Sequence, residues 1–432
     1  MERAAGLWRA AWRHWVLGLG LACVAVGLLS SPALLSIGYG LLALVACVHS
    51  HWASLGQRLC RSPAVWGLLG LFALALLGGL YPAMGGIPVG EGLVSKIRAG
   101  RLDHTATWLD EVRIKLPLLI VALSLLFAPP LSPMQRRWIP ILFLLAVGAV
   151  GLGNIVRYVL DYEHLTRLIS QGKGFPIVIR RVSHIYYGVV AGFGVLWSLH
   201  LLRSARGWGY RLFLAFVFLV LLLNVHFVGS RTGLFGLYLA LLVYGFGAMY
   251  RYRKKWAILV LLLLPLLPTV AYLGLEAFRH RIDISLADVH NYHAGGDLSD
   301  WSMGRRFAAW DNALQLIAER PLLGYGPANT EVAMHHQYEQ MQLRLLPERR
   351  VYAHNQYLET CLAYGLVGGC VLLLMLLLPL LQRPTVLQLG FAALILFAFG
   401  FESLLERQIG VGFIAFMLLW FALARPVPAA QS

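Results

Sequence analysis

The sequence predicts an all-α polytopic membrane protein, and three observations carry that prediction. Charged residues are scarce, apolar runs have the length of a bilayer-crossing helix, and basic residues collect in alternate connections. Of 432 residues, 59% are hydrophobic and 13% charged, against about 25% charged in soluble domains. The apolar runs are roughly 17–25 residues long, what a helix needs to cross a ~30 Å hydrocarbon core. Short alternating segments of the kind that build a membrane β-barrel are absent.

Twelve spans are predicted, at about 15–30, 32–50, 63–81, 114–128, 138–160, 182–202, 212–229, 231–250, 257–275, 356–381, 386–401 and 408–424. The basic start through His14 is followed by Val16–Leu29, which runs almost directly into the next apolar run, so the pair reads as a helical hairpin and not as a cleaved signal peptide. An even number of spans puts both termini on one side. The short connections on that side hold 16 basic residues, among them Arg13, Arg58, Arg136, Arg137 and Arg251, and a single acid, Glu2. This is the positive-inside pattern, so both termini are predicted to be cytoplasmic. The net charge of +16 is an orientation signal, and no nucleic-acid partner is called for. Cys23, Cys47, Cys60, Cys361 and Cys370 lack metal-ligand spacing and read as packing residues.

This topology leaves three sizeable loops outside, at about 82–113, 161–181 and 276–355, within a single membrane domain covering 1–432. In the largest, Phe307, Trp310, Leu314 and Ile317 recur at helical spacing. They mark one helix face expected to lie on the spans or the lipid interface, with Ser302 as N-cap and Pro321 as stop.

A site on the outer face has no supply of nucleotide sugars or ATP, and neither a Walker motif nor a Rossmann fingerprint is present. Group transfer there must draw on an activated lipid such as a polyprenyl diphosphate. The departing diphosphate then needs a metal ion or several guanidinium groups. The first outer turn, Ser30–Pro32, has no acid; Asp110–Glu111 and Asp297/Asp300 are poor hard-metal arrangements. Arginines remain: Arg180 and Arg181 before the sixth span, Arg231 in Ser230-Arg231-Thr232-Gly233, Arg305 in the loop, and Arg157 near the outer end of the fifth span. Snorkelling, or for Arg157 an i,i+4 pair with Asp161, is the alternative for each. His354 opens the tenth span in His354-Asn355-Gln356-Tyr357-Leu358, where an imidazole can take a proton from a hydroxyl or simply sit at the interface. His335 with Glu331 or Glu339, and His290 with His293, lack a third fixed zinc ligand.

Taken in order, Ser230-Arg231-Thr232-Gly233, Gly304-Arg305 with Trp310, Pro321-Leu322-Leu323-Gly324-Tyr325-Gly326, His354-Asn355, Glu359 and Tyr364-Gly365 resemble the O-antigen ligase/polymerase superfamily (the Wzy_C region), and within it most closely the WaaL-type O-antigen ligases. The resemblance implies a GT-C-like fold and transfer of O-antigen from undecaprenyl diphosphate to lipid A-core on the periplasmic side of the bacterial inner membrane. It also implies that neither metal nor other cofactor is used. His354 matches the family histidine, and Arg231 and Arg305 match motif arginines. Arg180 and Arg181 match by position, Arg157 is added as a diphosphate contact, and Asn355, Tyr357 and Glu359 are supporting residues. The rival readings are an O-antigen polymerase, a protein O-glycosyltransferase, and a lipid-linked glycan transporter or flippase. Against the last, polar residues concentrate in one outer loop instead of symmetric broken helices.

Overall fold

The computed structural model describes residues 2–48, 55–84, 103–171, 173–251, 254–294, 302–340 and 352–424. Among these the regular structure is helical throughout. The helices are α1 (Glu2–Ser30), α2 (Pro32–Cys47), α3 (Leu55–Arg61), α4 (Pro63–Leu77), α5 (His104–Phe127), α6 (Pro133–Leu160), α7 (Tyr162–Ser170), α8 (His184–Leu202) and α9 (Trp208–Val228). They continue as α10 (Arg231–Arg251), α11 (Lys254–Gly274), α12 (Glu276–His293), α13 (Ser302–Glu319), α14 (Thr330–Gln340), α15 (Gln356–Leu377), α16 (Val386–Phe399) and α17 (Gln408–Leu423).

Every predicted apolar run is helical over most of its length. Among the described residues, seven stretches are long and apolar enough to cross a membrane: Trp12–Ser30, Pro63–Leu80, Pro133–Leu160, His184–Leu202, Trp208–Val228, Arg231–Arg251 and Gln356–Leu381. Pro32–Cys47, Leu264–Gly274, Val386–Phe399 and Gln408–Leu423 are apolar but shorter. The chain is a multi-pass membrane protein.

Local chemistry fixes where the helices begin. Ser132 accepts from the Gln135 amide while the Gln135 side chain returns a bond to the Ser132 amide, and Pro133 occupies the first helical position of α6. Asp103, Ser183 and Thr385 cap α5, α8 and α16 in the same sense. The centre of the bundle is α8, buried continuously from Tyr186 to Leu199 and packed against α9, α10 and α16. Phe193 meets Phe391 edge-on at 5.2 Å, and Phe143 lies 5.2 Å from Trp197. At the end away from the large loop, Arg13 donates to the Phe127 carbonyl (2.8 Å) and Arg58 to the Leu126 carbonyl (2.7 Å). Both guanidiniums thus serve the negative C-terminus of α5.

The large loop folds into α12, α13 and α14. Helix α13 ends at Glu319, ahead of Pro321 as predicted, but it faces the protein differently. The buried side is Gly304, Ala308, Ala309, Asn312, Ala313 and Leu316, whereas Leu314 is 53% exposed. Small side chains let α13 approach α15 closely, and the larger Phe307–Trp310 pair forms its flank. The start of α13 also differs from expectation. Asp288 of α12 accepts from the Met303 amide at 3.3 Å, so the cap comes from another helix.

A backbone joint ties this loop to α15. The helix is broken at Gly365, whose φ is +65°. The carbonyls of Leu362 and Ala363 are thereby free to accept from the amides of Tyr325 and Gly326, both at 2.9 Å, and Leu366 donates to the Pro321 carbonyl at 2.7 Å. A Cβ on Gly365 would lie 2.1 Å from the Leu322 carbonyl oxygen, so this crossing requires glycine. The two sequence motifs Pro321–Gly326 and Tyr364-Gly365 are the two halves of one joint.

Candidate functional site

The site is built from the N-terminus of α15 outward. Asn355, extended at φ −151°, caps that helix by accepting from the amides of Tyr357 (3.0 Å) and Leu358 (3.2 Å). The residue before it, His354, is held at φ +45°, a left-handed conformation that costs a β-carbon residue about 1–3 kcal/mol and persists only where surroundings enforce it. The turn aims the imidazole at Glu402, with Nδ1 3.4 Å from Oε1. Glu402 sits in the turn between α16 and α17, and its other oxygen lies 3.3 Å from Arg306 Nη2 of α13. One buried carboxylate therefore links three elements. Burial pulls the Arg306 guanidinium down from its ordinary value; Glu402 opposes this, while the nearby charges of Arg231 and Arg305 reinforce it.

His354 and Glu402 open on a cavity of about 610 Å³, whose walls carry Arg180, Arg181, Arg407 and the α1–α2 turn at Ser30–Pro32. Arg180 and Arg181 are exposed on it. The segment that presents them is held by Arg157, which donates to the Pro176 carbonyl at 3.0 Å, and by Asn154, which accepts from the Val178 amide at 2.9 Å. Arg157 thus sits behind the segment carrying Arg180 and Arg181, and the cavity walls do not include it. With three arginines, one carboxylate and an imidazole, the cavity suits an anion. If Nδ1–H donates to Glu402, Nε2 is left to accept a proton.

Arg231 faces a separate, smaller cavity of about 160 Å³, shared with Arg306, Phe397 and Phe401. Ser230 starts α10 by accepting from the Gly233 amide at 3.3 Å. Gly233 itself rests on α8: a Cβ there would lie 2.4 Å from the Gly188 carbonyl carbon. This registers Arg231 against the loop helices, where it lies 3.4 Å from Asp288 Oδ2 and donates to Ser302 Oγ at 3.1 Å. Arg231 and Arg306 face one small cavity and Arg306 meets Glu402, the partner of His354, yet Arg231 and His354 themselves line different cavities.

Among the other predicted residues, Tyr357 donates to the Leu396 carbonyl at 2.8 Å and fixes α15 to α16. Glu359 is buried in α15 outside the cavity walls. Asp110 pairs with Arg113, Glu111 with Lys115, and His335 lies 4.0 Å from Glu331. Asp297 and Asp300 fall outside the described residues. Three residues at the site were not singled out from sequence: Glu402, Arg407 and Arg306. The first two had a signal, because Phe401–Arg407 is a charged turn between two apolar runs. Arg306 had only its adjacency to Arg305, and neighbours on a helix point about 100° apart.

Residues 214–373 match the family model Wzy_C, O-Antigen ligase. That stretch is similar to the O-antigen ligase family. It runs from within α9 to within α15, so Arg231, Arg305, Arg306 and His354 fall inside the matched stretch, and Arg180, Arg181, Glu402 and Arg407 outside it. A curated relative, an uncharacterized protein of Haemophilus influenzae (strain ATCC 51907 / DSM 11121 / KW20 / Rd), is 27% identical over 274 residues, covering 61% of this chain and 63% of the relative.

Proposed function

We propose that this protein is an O-antigen ligase, a metal-independent, inverting glycosyltransferase that moves O-antigen polysaccharide from undecaprenyl diphosphate onto lipid A-core. The observation that carries the reading is the His354–Glu402 pair opening on a cavity lined by arginines, in a chain whose residues 214–373 match the O-antigen ligase family model. The reaction would take place at the periplasmic end of a twelve-span bundle in the inner membrane with both termini cytoplasmic, as the charge asymmetry of the connections favours.

In this reading an acceptor-sugar hydroxyl enters beside His354. Its oxygen attacks the anomeric carbon as the bond from that carbon to the lipid diphosphate breaks, and its proton passes to His354 Nε2. Glu402 holds the ring through Nδ1 and steadies the imidazolium, a role for which its buried position suits it. The negative charge that accumulates on the diphosphate is met by Arg180, Arg181 and Arg407 around the cavity, with Arg231, Arg305 and Arg306 behind them. Membrane lipids surround the bundle, and both substrates would enter sideways from the bilayer.

Reconstitution with undecaprenyl-diphosphate glycan and lipid A-core, followed on a gel, tests the proposal. Transfer should require both lipids. Lengthening of the donor without lipid A-core would make the protein a polymerase, and movement of the glycan lipid without bond cleavage would make it a flippase.

A further inference from the structure

A second cluster of charge lies deeper in the bundle, on a helix that neither the sequence motifs nor the stretch matching the O-antigen ligase family includes. Lys115 of α5 is only 2% exposed, and an ammonium in such a place needs compensating partners. It has two. Its Nζ contacts Glu111 one turn away on the same helix and lies 3.6 Å from Glu406 of the α16–α17 turn. Glu111 also accepts from the Tyr364 hydroxyl at 3.0 Å, beside the break at Gly365. Glu406 in turn accepts from Gln356 Nε2 at 3.1 Å, and the same Gln356 side chain accepts from the Leu405 amide at 2.6 Å. Gln356 follows His354 by two residues, and Glu406 follows Glu402 by four.

We infer that Lys115 is a positioning residue for the transfer reaction: through Glu406 and Gln356 it locks the α16–α17 turn to the start of α15, and so holds Glu402 against His354. The inference rests on the glycosyltransferase reading for its catalytic consequence. Among the described residues, the Lys115 ammonium is the one cationic contact on Glu406. Without it, the Glu406 end of the turn keeps its two Gln356 bonds, while the Glu402 end keeps its contacts with Arg306 and His354 and the 3.1 Å bond from the Tyr186 hydroxyl to the Ser403 carbonyl. Displacement of a positioned catalytic group by about 1 Å is enough to cost on the order of 10²-fold in rate.

Lys115→Met in the full-length protein, reconstituted in lipid, tests this in two ways. Hydrogen–deuterium exchange of the peptide containing Leu405 should quicken by about tenfold or more, because its amide loses a fixed acceptor. Turnover should fall about 10²-fold, and this loss should shrink below about tenfold in a Glu402→Gln background, where the group being positioned is already impaired. Unchanged exchange at Leu405, or the same fold-loss in both backgrounds, overturns the inference, since a merely structural defect scales every background alike. If Lys115→Met alone does not insert, Lys115→Met/Glu111→Gln removes the ammonium together with one partner carboxylate and is read identically. Should the wild-type protein transfer no glycan, the functional reading fails while the exchange measurement still decides whether Lys115 holds the turn.

Discussion

The two ends of the bundle use the same residue for different ends. At the end away from the large loop, arginines donate to backbone carbonyls: Arg13 to Phe127, Arg58 to Leu126, Arg251 to Pro384. At the other end, Arg231 and Arg306 pair with the buried carboxylates Asp288 and Glu402, and Arg180, Arg181 and Arg407 face a cavity. A guanidinium that donates to a backbone carbonyl is engaged in holding the fold. A cluster of guanidiniums on a cavity wall repels itself and is stabilised by an incoming anion. The comparison teaches that the balance of basic against acidic residues is what the topology prediction reads, whereas the partner each arginine finds separates topology from chemistry.

Mutation at the two ends should divide accordingly. The largest effect is expected at His354: His354→Ala should lower transfer by about 10²–10⁴-fold with an unchanged elution profile, and wild-type-like turnover would remove the proton-accepting role. Glu402 comes next, and its two substitutions should part company. Glu402→Ala leaves a buried Arg306 uncompensated and should destabilise the protein by about 3–5 kcal/mol, visible as a lowered thermal midpoint. Glu402→Gln keeps hydrogen-bonding atoms in place, so it should retain most of that stability while still losing activity.

The joint at Gly365 gives an intermediate effect by a different route. Gly365→Ala forces a Cβ toward the Leu322 carbonyl and a side chain into a left-handed backbone, costing about 1–3 kcal/mol or more. Limited proteolysis of the large loop should then accelerate, and an unchanged cleavage rate would mean the joint does not hold it. The smallest effect belongs to the opposite end. Arg58→Ala removes a helix-terminus interaction worth about 0.3–1 kcal/mol, and turnover per folded molecule should be unaltered; a large loss of turnover there would erase the distinction between the two ends.

How much of this could be read beforehand varies by residue. The place of His354 at the start of α15 was legible because the junction of a polar loop and an apolar run is marked by sequence alone. The end of α13 at Glu319 was legible because Pro321 forbids continuation. Its buried face was not, since large apolar residues at helical spacing outweighed the alanines in any reading by hydrophobicity, and close packing instead favoured the small side chains. Arg157 had two readings, and its 3.0 Å bond to the Pro176 carbonyl places it behind the segment bearing Arg180 and Arg181.

The sequence by itself determined the helical class, the apolar runs, the charge asymmetry between connections and the locally capped helix starts such as that of α6, because each depends on residues within one or two turns of each other. Tertiary structure alone decided that Glu402 would meet both His354 and Arg306, that Lys115 would reach Glu406, and that Arg231 and His354 would line different cavities. Those pairings join residues from 48 to 291 positions apart. They follow from the angles at which packed helices deliver their ends to a common face, which no local pattern of side chains encodes.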